Sequence, residues 1–123
     1  MKLLLILAAI NGFLAVALGA FGAHGLEGRI SEKAIATWEK AVTYQMFHTM
    51  ALVAVGLLLA KYQNGSLFAT SGWMFFAGII LFSGSLYVYS LTSIKTFAMI
   101  TPIGGVAFLI GWVLLGIALI KYL

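Results

Sequence analysis

The side chains in this sequence whose types and spacing could support chemistry are few. Tyr44, Gln45, His48 and Thr49 stand at i, i+1, i+4 and i+5, so on a helix they share one face about 140° wide. Imidazole changes charge nearest neutral pH, so a histidine beside an amide and a phenol is the natural candidate for moving a proton. Ser83, Ser85 and Tyr87 add hydroxyls, His24 a second imidazole, and Asn11 a further amide.

Several chemistries fail on these residues. A catalytic zinc site wants three protein ligands and an open position, and only His24 and His48 offer themselves, without ligand spacing. The two histidines meet the ligand count of a bis-histidine haem, but nothing else marks a porphyrin pocket. Ser83-Gly84-Ser85 is not set in a nucleophile elbow and has no activating carboxylate. No catalytic residue, metal or cofactor is expected, and the chain does not read as an enzyme.

The elements that must position these groups follow from composition. Of 123 residues 63% are hydrophobic and 8% charged, with a mean hydropathy of +1.13. A soluble domain is roughly half apolar and about one quarter charged. A chain this short cannot hide so much apolar surface from water, so the lipid bilayer is its solvent. The absence of cysteine excludes disulfides, thiolate metal sites and thiol nucleophiles. The net charge of +4 is spread without a basic run, which leaves no footprint for nucleic acid. One proline and no low-complexity tract argue against linkers.

Uncharged runs, set against the ~20 residues of a spanning helix, predict one all-α membrane domain of four transmembrane helices in an antiparallel bundle. The spans are 3–23, 41–60, 68–91 and 103–120. Thr101 is placed to cap the fourth, with Pro102 in its first turn. No run alternates with period two, as a membrane strand would. The first span ends in Ala20-Phe21-Gly22-Ala23, which mimics a signal-peptide cleavage site, but it exceeds the usual signal core and is read as a retained helix. An even number of spans puts both termini on one side, with Lys2, Lys61 and Lys121; Arg29, Lys33, Lys40 and Lys95 lie on the other. Three against four gives no orientation by the positive-inside rule.

Glu27, Glu32 and Glu39 all fall in the one long polar segment, His24 to Lys40, outside these spans. Proton-coupled exchange of the small multidrug antiporter kind needs an intramembrane carboxylate, so that class is disfavoured. Within the segment Ser31 is a good N-cap, with Glu32 in the first turn. Glu32, Lys33, Glu39 and Lys40 recur seven apart, while Ile30, Ala34, Trp38 and Ala41 follow another stripe. An amphipathic segment before helix two is expected, lying at the interface or extending that helix outwards, with Trp38 at headgroup level.

Within the spans, small and polar residues mark packing. Ala8, Asn11, Gly12, Ala15, Gly19, Gly22 and Ala23 fall within about one third of the circumference of span one. Helices in lipid associate by close backbone approach, so this stripe is a packing seam with Asn11 as an interhelical staple. Span three carries Gly72, Ser83, Tyr87 and Ser90 on one face and Ser71, Gly78, Ser85 and Tyr89 on the other, which suits a central helix or one shared with a second subunit. Gly104, Gly105, Gly111 and Gly116 thin span four beside Trp112.

Four motifs in order carry a family resemblance: Gly19-Ala20-Phe21-Gly22-Ala23-His24; Tyr44-Gln45 with His48; Leu81-Phe82-Ser83-Gly84-Ser85-Leu86-Tyr87; and Thr101-Pro102-Ile103-Gly104-Gly105. Over nearly its whole length the chain resembles domain-of-unknown-function family four hundred and twenty-three, relatives of transmembrane protein two-five-six. The resemblance implies a four-span protein of the bacterial plasma membrane without an assigned activity. It raises the weight of His24, Tyr44, Gln45, His48, Ser83, Ser85 and Tyr87. It also favours cytoplasmic termini, through a basic second loop and C-terminus that here hold only Lys61 and Lys121.

Two functional readings follow. The first is a non-enzymatic structural or accessory bundle that binds a partner or lipid in the membrane, with self-association open to it. The alternative is a small-solute or proton transport-like protein with a polar pocket around His48. In either case His24 and His48 are expected at one membrane level, with the span-three motif converging on them at one end of the bundle.

Overall fold

The protein is described over residues 2–123 by a computed structural model. It consists of helices α1 (Lys2–Gly25), α2 (Glu32–Lys61), α3 (Ser66–Gly78), α4 (Ser85–Thr92) and α5 (Lys95–Tyr122). A π-helical turn, Ile79–Gly84, joins α3 to α4, so Ser66–Thr92 forms one span. Four helices are long and apolar enough to cross a membrane. The turns are tight. Gly28 takes φ +79° after α1, and Ser93 takes φ 59° to end α4, conformations open to glycine and tolerated by a small side chain.

The helices pack in sequence order. α1 lies along α2, α2 along span three, and span three along α5, while α1 barely meets span three. Neighbours run antiparallel. Gly22 faces Trp38 and Gly56 faces Leu5 across the α1–α2 seam. Leu4, Leu52 and Val55 are fully buried, Leu4 and Val55 against Gly72 where α1, α2 and α3 meet, and Phe68 and Phe75 are fully buried against Tyr122 and Trp112 of α5. The outer surface is also apolar, with Phe13, Val16, Phe47, Leu109 and Val113 exposed, as a bilayer solvent requires.

The N-terminus of α2 follows expectation and that of span four does not. Ser31 caps α2, accepting from the Ala34 N–H at 3.0 Å, and the helix then runs unbroken from the polar segment through span two. The Trp38 indole turns into the bundle, where it is buried and donates to the Leu18 carbonyl at 2.9 Å. Span four begins at Lys95, not at residue 103, so Pro102 lies inside α5 and Thr101 does not cap it. Thr101 Oγ1 instead meets Ser85 Oγ at 2.6 Å. In an apolar medium an unwound turn would leave several backbone groups without partners. Keeping the helix through Pro102 forfeits only one N–H, so the helix continues.

Both small-residue faces of span three are taken up within the chain. The first meets α1 and α2: Gly72 abuts Leu4 and Val55, and Ser83 Oγ donates to the Ala41 carbonyl at 2.8 Å. The second meets α5: Ser71 Oγ donates to the Gly111 carbonyl at 2.8 Å, and Gly78 lies under Phe108. Gly104 fits directly on the backbone of Leu81 and Phe82 in the π-helical turn, where any side chain would collide. The surplus small face that suggested a second subunit is therefore covered by α5.

Candidate functional site

Two groups of polar side chains form, and both are held by helix register. The first is a directional chain through three helices. The Tyr87 hydroxyl donates to Gln45 Oε1 at 2.7 Å, and Gln45 Nε2 donates to Asn11 Oδ1 at 3.0 Å. Asn11 Nδ2 closes the chain on the Leu7 carbonyl at 2.9 Å. Thr49 Oγ1, one turn below Gln45, donates to the Gln45 carbonyl at 2.6 Å. Tyr87 stacks edge-on against Trp38, with ring centroids 4.6 Å apart, which shuts the chain from the α2 entrance.

The second group is centred on His48. Its Nδ1 lies 2.8 Å from the Tyr44 carbonyl, an acceptor, so Nδ1 carries the hydrogen. Trp112 Nε1 donates to His48 Nε2 at 3.0 Å, which makes Nε2 the acceptor. The two bonds select one neutral tautomer of the imidazole. The ring also stacks on Phe108, with centroids 3.5 Å apart and planes at 8°.

Among the described residues no buried side-chain nitrogen or oxygen lacks a hydrogen-bond partner. Unpartnered polar groups in lipid cost several kcal/mol each, so a closed set is what stability demands. No cluster of three or more histidine, aspartate or glutamate side chains that could hold a metal occurs among the described residues.

The residues singled out from sequence are distributed as follows. Gln45, Tyr87 and Asn11 share one chain of bonds; His48 and Tyr44 share the second group; Ser83 and Ser85 fasten span three to α2 and α5. Of the seam residues, Ala8, Asn11, Ala15 and Gly22 are buried on α2, with Gly12 and Gly19 half-buried beside Thr49 and Val42. Ala23 is exposed.

His24 does not belong with His48. It is exposed at the end of α1 and joins neither group. Gly12 lies beside Thr49, so His48 sits at the level of Gly12, and His24 is roughly 18 Å away along the axis at 1.5 Å per residue. The separation follows from how far α1 runs: Gly22 lies against Trp38, so His24 ends more than a turn beyond Ala41 while His48 lies about 10 Å inside it. The four motifs themselves meet: Gly19 lies at Val42, Ser83 bonds to Ala41, Tyr87 to Gln45 and Ser85 to Thr101, and Gly104 packs on Phe82, with His48 about two turns deeper than Ala41.

Sequence reasoning missed the surroundings of His48. Because the backbones of α2 and α5 stay apart on either side of span three and only a few aromatic side chains bridge them, a groove of about 690 Å³ opens between them. Tyr44, Phe47, Phe82, Pro102, Leu109 and Trp112 are among its lining residues. One signal was present: a tryptophan N–H in an otherwise apolar span needs an acceptor, and His48 is the one within reach.

Comparison with known proteins agrees with this architecture. The family described as a protein of unknown function (DUF423) matches residues 18–105. The chain is 51% identical over 123 residues to the UPF0382 membrane protein YwdK of Bacillus subtilis, covering 100% of each chain. It is 53% identical over 122 residues to the UPF0382 membrane protein SAB0533 of Staphylococcus aureus, covering 99% of this chain and 98% of that one. It is 50% identical over 122 residues to the UPF0382 membrane protein SERP0230 of Staphylococcus epidermidis, again covering 99% and 98%. No solved structure matches.

Proposed function

The chain belongs to the DUF423 family of membrane proteins, and from that premise we propose a non-enzymatic accessory bundle whose α2–α5 groove takes an apolar chain from the surrounding bilayer. The observation that carries this reading is the division of labour between polar and apolar surfaces. Gln45, Asn11, Tyr87, Ser83, Ser85 and His48 bind one another, the backbone, Thr101 or the Trp112 indole, which supports a structural role for them. The groove is walled by aromatic and aliphatic side chains. Its volume falls within the roughly 300–1,000 Å³ of small-molecule sites.

The transport alternative requires polar side chains along a wet path. His48 is the group best suited to a proton, and its Nε2 lone pair is taken by Trp112. A phosphatidylcholine with a photoreactive diazirine in one acyl chain tests the proposal in reconstituted membranes. Adducts should concentrate on Phe47 and Leu109 and decline in Gly105→Leu, whose side chain would enter the groove. Labelling spread evenly over the outer faces and unchanged by that substitution would overturn the reading. So would a His48-dependent proton flux in liposomes.

A further inference from the structure

The groove continues upward into charge. On α2 the lining residues Thr43, Tyr44 and Phe47 lie at i+3, i+4 and i+7 from Lys40, so Lys40 stands on the same face at the groove's outer end. Lys33 precedes Lys40 by two turns on that stripe. On α5, Lys95 precedes the lining residue Pro102 by seven positions, again the same face. Each wall of the groove thus leads to lysine, and Lys33, Lys40 and Lys95 are all exposed.

The carboxylates are sorted to the opposite side. Glu27, Glu32 and Glu39 line a separate cleft against Gly22 and Ala23 of α1. Lys33 lines a small cleft facing α4, with Tyr89 and Ser93. The N-terminal turns of α2 therefore present an acidic edge towards α1 and a basic edge towards the groove.

Depth matches as well. Ser83 bonded to Ala41 and Ser85 bonded to Thr101 put Ala41 and Thr101 in one layer, just below Lys40 and roughly 9 Å below Lys95, so the two lysines bracket the groove's outer end in height. From that layer to His48 the groove descends about 10 Å, within the ~15 Å hydrocarbon depth of one leaflet. A lysine at this position extends its ammonium to the headgroup level while its methylenes stay in apolar surroundings.

We infer that the α2–α5 groove is a site for an anionic glycerophospholipid, with one acyl chain along Phe47, Leu109 and Trp112 and the phosphate held at the surface end by Lys40 and Lys95. The inference rests on the reading that the groove takes an apolar chain and adds the headgroup's charge. Apolar walls alone would accept any lipid tail; lysines on both walls, with the carboxylates turned away, select a negative headgroup.

The test is native mass spectrometry of protein released from vesicles of equal parts phosphatidylglycerol and phosphatidylcholine. The retained lipid should be enriched in phosphatidylglycerol. Lys40→Gln and Lys95→Gln should each reduce that enrichment by about fivefold, the effect of one lysine near an anionic surface. Lys61→Gln and Lys121→Gln, which remove equal charge at the other membrane face, should leave it unchanged. Gly105→Leu should abolish retention of both lipids. Equal retention of both lipids, lost in Gly105→Leu, would overturn the headgroup assignment and leave the groove reading standing. Retention that ignores Gly105→Leu would overturn both. Enrichment reduced equally by the Lys61 and Lys121 substitutions would also overturn the assignment, as an effect of overall charge.

Discussion

Trp112 Nε1 donates to His48 Nε2 at 3.0 Å, joining α5 to α2 across the groove that separates them. The backbones of these two helices stay apart, with span three beside both, and aromatic side chains bridge them: His48 stacks on Phe108 at 3.5 Å and Phe47 meets Trp112 at 5.6 Å between ring centroids. The bond sets the imidazole's tautomer and forms the deep end of the groove.

Removing either partner should expose that link. His48→Ala leaves the Trp112 N–H without an acceptor, and Trp112→Phe removes the donor. Interhelical hydrogen bonds in membranes average about 0.6 kcal/mol. A double-mutant cycle in mixed-micelle unfolding should therefore give a coupling of about 0.5–1.5 kcal/mol. Gln at position 48, which keeps an acceptor, should retain more stability than Ala. Strictly additive losses would refute the link.

Neighbouring glycines of α5 should behave in opposite ways. Gly104→Ala drives a methyl into the Phe82 and Leu81 backbone and should lower stability by about 1–3 kcal/mol. At Gly105 the new methyl meets the Phe82 ring at an ordinary 3.8 Å. Gly105→Ala should then be neutral or stabilising by up to ~1 kcal/mol, the gain in helix propensity. Equal effects at the two positions would contradict the close approach of α5 to the π-helical turn.

The seam of α1 should also be graded. Gly22→Ala collides with the Trp38 indole and should displace it from the Leu18 carbonyl, with a change in tryptophan fluorescence. Gly19→Leu, beside Val42 at 3.3 Å, should cost more than about 1 kcal/mol by overpacking. Gly12→Ala meets Thr49 at 3.7 Å and should be tolerated. If all three unfold the protein alike, the packing account of this face fails.

Gln45 is the middle of the chain from Tyr87 to Asn11, so its loss strands both neighbours. Gln45→Leu should destabilise by about 2 kcal/mol or more, since buried partners left unsatisfied cost roughly 1–3 kcal/mol each. Tyr87→Phe added to Gln45→Leu should cost less than Tyr87→Phe alone. Thermal unfolding of the single and double variants measures the difference, and equal costs would rule the chain out as a coupled unit.

What the sequence by itself determined is the solvent and the spans. Sixty-three per cent hydrophobic residues leave the bilayer as the only medium, and uncharged runs of helical length mark the four crossings. The small-residue periodicity of span one and the two faces of span three were also legible, because helical register is fixed at 100° per residue. Tertiary structure decided the partners of those faces. Nothing local states that Gln45 reaches Asn11 on one side and Tyr87 on the other, or that Ser85 meets Thr101. The start of α2 at Ser31 was legible, but that of α5 was misread because proline ends helices in water, whereas in lipid the need to satisfy the backbone prolongs them. The register of α1 on α2, with Gly12 at Thr49 and Gly22 at Trp38, is what separates His24 from His48. The groove was invisible for a further reason: it is the space left where the α2 and α5 backbones stay apart beside span three, and a gap has no residue to announce it.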